Sequence, residues 1–100
     1  MPFELHVTGR ITLGRFADFL EAVELYRAFR REHGYVVPRA WHALAGEMNS
    51  VRLIYPYREL AELQAEEERL AGDREYARVA GEMPFVDGTL RYELYRETAG

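Results

Sequence analysis

Phe3, Leu5 and Val7 alternate with Glu4, His6 and Thr8, the period of two that a strand with one apolar and one polar face produces. The pattern predicts a first strand that runs on toward Ile11. After Gly14 the period changes: Phe16, Phe19, Leu20, Val23, Tyr26 and Phe29 recur at helical spacing, and Gly34 follows Arg30, Arg31 and His33 as a stop. A helix over about 15–33 is expected. From 35 to 45 the alternation weakens, with Val37, Trp41 and Ala43 set among Pro38, Arg39 and His42. Proline cannot donate to a ladder, so this second strand belongs at a sheet edge. Gly46 to Ser50 reads as a turn into a third strand at 51–55, which makes a hairpin. Leu60, Leu63 and Leu70, with Ala61, Ala65 and Ala71, mark a helix over about 58–71 that breaks at Gly72. Asp73 can cap a short further helix that Pro84 ends. Leu90, Tyr92 and Leu94 then alternate with Arg91, Glu93 and Tyr95 as a last strand.

The order β-α-β-β-α-β occupies residues 1–100 without a linker or repeat, so one domain is expected. Right-handed crossovers make it an α+β fold of ferredoxin-like type: a four-stranded antiparallel sheet, strands one and three central, helices on one face. The second sheet face is left bare. A homodimer that covers it is the expected consequence.

Composition narrows the partners. The 17 acidic residues outnumber 13 basic ones, all arginine, for a formal charge of −4, and no basic block stands out, which argues against nucleic acid. The absence of cysteine excludes disulfides, thiolate metal sites and cysteine nucleophiles. No apolar run approaches the roughly 20 residues that cross a bilayer, and the first residues lack a secretory pattern. A cytoplasmic protein with no membrane partner is expected.

Trp41, Gly46-Glu47-Met48-Asn49, Val51, Tyr55-x-Tyr57 and Leu60 occur in an order and spacing that resembles the NIPSNAP family. Phe3-Glu4-Leu5 and Tyr92-Glu93-Leu94 look like that family's first and last strands. The resemblance implies a dimeric α/β barrel, in which two such sheets pack face to face, and brings no agreed catalytic set with it. His6 stands where an arginine is common in the family, and Tyr55 where tryptophan is frequent.

If Phe3, Leu5, Val7, Val51, Leu53, Leu90 and Leu94 meet the helices, the opposite face carries Glu4, His6, Thr8, Arg52, Ile54, Arg91, Glu93 and Tyr95. A histidine beside carboxylates can act as a general base, and an arginine can hold an anionic oxygen. Glu4, His6, Arg52 and Glu93 are therefore ligand-binding candidates, joined by Trp41 and Tyr55 as aromatic contacts. The bland alternative is a set of cross-strand ion pairs that fix register. Trp41 and His42 point to opposite faces, so only one can see a cavity between copies, and His33 is expected to cap helix carbonyls or to favour the helix dipole. The histidine spacing offers no metal motif, and no cofactor is expected. Glu66-Glu67-Glu68 reads as a solvated helix face, and Tyr55 and Tyr57 as strand aromatics whose hydroxyls reach water.

Three functions fit these residues. The first is a small organic molecule bound, or transformed without a cofactor, in a cavity between the sheets of a homodimer. The second is a non-catalytic structural or interaction module, and the third a haem-binding protein.

Overall fold

The computed structural model describes residues 2–99. Seven elements follow one another: β1 (Phe3–Arg10), α1 (Phe16–Glu32), β2 (Arg39–His42), β3 (Ser50–Tyr57), α2 (Leu60–Leu70), α3 (Arg74–Gly81) and β4 (Arg91–Arg96). The strands form one antiparallel sheet in the order β2-β3-β1-β4. This is the ferredoxin-like arrangement, with β1 and β3 in the middle and β2 at an edge.

Alternation along β1 sets the two faces. Val7 is buried and pairs with Leu53, while Leu5 pairs with Tyr55 on one side and Leu94 on the other. These side chains share the face that the helices cover. α1 brings Phe19, Ala22, Val23, Tyr26, Phe29 and Arg30 to it, a stripe repeating every three or four residues. Its start follows Gly14 and its end precedes Gly34, both at positive φ (83° and 74°), where a side chain would strain the backbone. α2 contributes Leu63, Glu66 and Leu70, and α3 contributes Val79. Asp73 caps α3 by accepting a hydrogen bond from the Tyr76 backbone N–H at 3.0 Å. Close to the end of β1, Gly9 lies so near Phe85 that a Cβ would stand 2.8 Å from that ring.

Two expectations need correction. The second strand is four residues long rather than spanning 35–45. Val36 cannot join the ladder, because its N–H donates to Glu66 Oε2 (2.9 Å) and its carbonyl accepts from the Arg30 Nε. The acidic run on α2 is not solvated throughout: Glu66 is 5% exposed. It falls three residues after Leu63 and four before Leu70, on the buried stripe.

Candidate functional site

The sheet face opposite the helices carries three rows of side chains set by the strand register. Glu4, Pro56 and Tyr95 form one; His6, Ile54, Glu93 and Arg39 the next; Thr8, Arg52, Arg91 and Trp41 the third. Five of the sequence candidates, Glu4, His6, Trp41, Arg52 and Glu93, therefore lie on this face. His6 sits at the centre. Its Nε2 is 3.1 Å from Glu4 Oε1, and its Nδ1 is 2.8 Å from a terminal nitrogen of Arg52. Arginine can only donate, so Nδ1 accepts and Nε2 carries the proton, donating it to Glu4. Both ring nitrogens are occupied. Tyr95 packs its ring 4.6 Å from the imidazole and donates to Glu93 Oε2 at 3.0 Å, a bond that pushes its phenol pKa up. Arg39 lies 3.7 Å from the other Glu4 oxygen and over the Trp41 ring.

Toward the Arg10 end, this face deepens into a concavity of ≈ 700 Å³, reaching Thr8, Trp41, Arg52, Ile54 and Arg91. Arg10 is paired with Glu47 at 3.2 Å. The remaining formal charge of the lining is positive, from Arg52 and Arg91. The acidic residues Glu4 and Glu93 stand toward the other end of the face.

The sixth candidate, Tyr55, lies elsewhere. It is 5% exposed on the helix-covered face, and its hydroxyl is 2.7 Å from that of Tyr26. Tyr57 is buried too and donates to Glu66 Oε1 at 2.9 Å. The hydroxyls thus meet protein rather than water, contrary to expectation. Glu66 Oε1 also accepts from Arg30 at 2.5 Å, which makes a buried ion pair joining α1, α2 and β3. Sequence reasoning missed this cluster. The available signal was position: Arg30 follows Tyr26 by one helical turn, and Glu66 falls on the Leu63–Leu70 stripe.

Electrostatics around the pair are coherent. Burial lowers the basicity of the Arg30 guanidinium, but the Tyr26, Tyr57 and Tyr55 oxygens and Glu66 outweigh it, and its pKa is raised. Burial pushes the phenols of Tyr55, Tyr57 and Tyr76 up. Phenols raised in the folded state stabilise it fully below the unfolded value of about 10 and progressively less as pH rises past that. The urea midpoint should accordingly hold steady from pH 8 to 9.5 and fall by pH 11. A flat profile would mean that these phenols are solvated.

His33 and His42 lie outside both clusters. His33 Nδ1 bonds the Phe29 carbonyl oxygen at 2.9 Å, as expected of a helix end, and His42 meets the Phe16 ring at 5.2 Å on the helix side. Among the described residues, no group of three or more His, Asp or Glu could hold a metal ion, and no helix is long and apolar enough to cross a membrane.

The NIPSNAP family model matches residues 7–91. The chain belongs to the NIPSNAP family. A NIPSNAP domain protein from Burkholderia xenovorans is similar over 99% of this chain and 96% of its own, at 25% identity and a TM-score of 0.77. A NIPSNAP family protein of Agrobacterium tumefaciens shares the fold at 14% identity and a TM-score of 0.76, over 98% and 94% of the two chains. So does a Bordetella bronchiseptica protein named as a candidate antibiotic biosynthesis monooxygenase, at 16% identity and 0.73, over 98% of each chain. No curated protein matches. In this NIPSNAP domain Trp41, on the open face, is 55% exposed, and Leu44 and Met48, between β2 and β3, are 93% and 73% exposed.

Proposed function

We propose that this NIPSNAP chain is a cytoplasmic, single-domain homodimer whose two open sheet faces pack together, and that the polar cavity between them binds a small organic acid. The observation that carries the reading is the ≈ 700 Å³ concavity with Arg52 and Arg91 in its lining, on a face that a second sheet would roof. Charge supports the pairing. With a two-fold axis across the strands, the Arg52 and Arg91 end of one copy meets the Glu4 and Glu93 end of the other, an isologous and complementary contact. The His6 geometry favours binding over turnover, because an imidazole with both nitrogens engaged has no free lone pair to take a proton. Its role is then to position Arg52, whose guanidinium holds the carboxylate of the ligand.

Light scattering at micromolar concentration should return twice the chain mass. Benzoate titrated by calorimetry should bind the dimer, and Arg52→Ala should weaken it about tenfold, the scale of one charge-assisted hydrogen bond. His6→Ala should weaken it less and leave the dimer intact. A monomeric mass would remove the cavity and the reading with it. A dimer indifferent to benzoate would instead favour the second reading, an interaction module, which draws on the exposed Trp41, Leu44 and Met48.

A further inference from the structure

On the other side of the sheet, a cavity of ≈ 330 Å³ lies between β1, β3 and β4 below and α2 and α3 above. Its floor is apolar, from Leu5, Val7 and Leu53, with Leu63 of α2 and Met83 also lining it, and its polar groups are Arg30, Glu66, Glu67 and the hydroxyls of Tyr26, Tyr55, Tyr57, Tyr76 and Tyr92. Leu90 and Tyr92, 42% and 67% exposed, mark where it meets solvent. This volume is at the lower end of the roughly 300–1,000 Å³ typical of small-molecule sites, and the mix of apolar wall and few convergent polar groups is the usual one.

Counting protons and lone pairs shows what these groups still offer. Glu66 has three of its about four acceptor sites filled: Oε1 takes Arg30 and Tyr57, and Oε2 takes the Val36 N–H. The Tyr26 and Tyr55 hydroxyls share one hydrogen bond and the Tyr76 hydroxyl stands within reach of Tyr26, so three protons serve at most two bonds among them and one is left over. Arg30 commits its Nε to Val36 and one terminal nitrogen to Glu66 and Tyr57; among the described residues its other terminal nitrogen has no acceptor. The guanidinium carbon is 5.8 Å and 5.1 Å from the Tyr26 and Tyr55 ring centres, so the guanidinium lies beside this pair of rings. The site offers donors.

We infer that the helix-side cavity binds a small, neutral aromatic carbonyl compound, its oxygen received by Arg30 and the Tyr26–Tyr55 pair and its rings lying among Tyr76, Phe85 and the apolar floor. Neutrality follows from the ion pair. Arg30 and Glu66 already cancel, so a carboxylate would enter as an uncompensated buried charge, whereas a carbonyl accepts the same donors without that penalty. A hydrocarbon of equal shape would leave the donors unmet. This site is independent of the dimer cavity proposed above and prefers a neutral ligand where that one prefers an anion.

Three probes of nearly equal shape test it: 2-acetylnaphthalene, 2-naphthoate and 2-ethylnaphthalene, titrated against methyl-labelled protein and followed by NMR. The expected result is that 2-acetylnaphthalene shifts the methyls of Leu5, Val7, Leu53 and Leu63, leaves Ile54 on the open face unmoved, and binds about tenfold more tightly than either relative. The double variant Tyr26→Phe/Tyr55→Phe removes both partners of one hydrogen bond while keeping both rings, a change that proteins tolerate. In it, the preference for the ketone over the hydrocarbon should shrink at least threefold. Shifts confined to Ile54, tightest binding of naphthoate, equal binding of ketone and hydrocarbon, or an unchanged preference in the double variant would each overturn the assignment.

Discussion

Glu66→Ala should destabilise the folded chain by about 3–5 kcal/mol, the range for removing one partner of a buried ion pair. The carboxylate does more than neutralise Arg30. It is also the acceptor for the Tyr57 hydroxyl and the Val36 N–H, at 2.9 Å each, so its removal leaves a buried cation and two buried donors unpaired at once. A domain of this size has only about 5–15 kcal/mol of stability in total, so the variant is expected to be marginally folded. The double replacement Arg30→Met/Glu66→Leu supplies the second measurement: with both charges gone it should be far less damaging than Glu66→Ala alone. Glu67→Ala, one residue away on the exposed side of α2, should change the urea midpoint by under about 0.5 kcal/mol equivalent. Equal midpoints for Glu66→Ala and Glu67→Ala would show that the pair is solvated.

The contrast between Glu66 and Glu67 also marks where sequence reading stops. Strand one was legible because its alternation is local: each neighbour along the chain reports the face of the next. So were the helix ends, where Gly34 and Gly72 adopt positive φ and Asp73 accepts from the Tyr76 N–H. Glu66 reads as solvated because an acidic triplet ordinarily is, and the fact that reverses this, an arginine 36 positions earlier, is a tertiary one. The short second strand has the same origin, since side chains of two helices compete for the backbone of Val36. Five site candidates share a face because one strand's alternation, once right, propagates through register to its neighbours. Tyr55 separated from them by the same rule, being an odd-numbered residue of β3 in line with Leu53 and Tyr57.

That rule has a direct energetic test in two adjacent residues of β3. Leu53 is 1% exposed against the helices, while Ile54, its neighbour, is half-buried on the open face and pairs across to His6. Leu53→Ala should cost about 2–5 kcal/mol, because it removes buried methyl groups and enlarges a cavity that α1 and α2 cannot collapse without breaking the Arg30–Glu66 bridge between them. Ile54→Ala deletes a comparable number of carbons from the open face, which the partner copy of the proposed homodimer would cover. In dilute protein its urea midpoint should stay within about 1 kcal/mol equivalent of the parent, yet light scattering should show a dimer that dissociates at higher concentration. Reversal of the two effects would mean that β3 is shifted by one residue, a slip that exchanges every side chain between the faces. Both candidate cavities depend on that register: the open face needs His6 and Arg52 together, and the helix side needs Tyr55 beside Tyr26. A single pair of alanine variants therefore tests the frame on which both sites rest before any ligand is added.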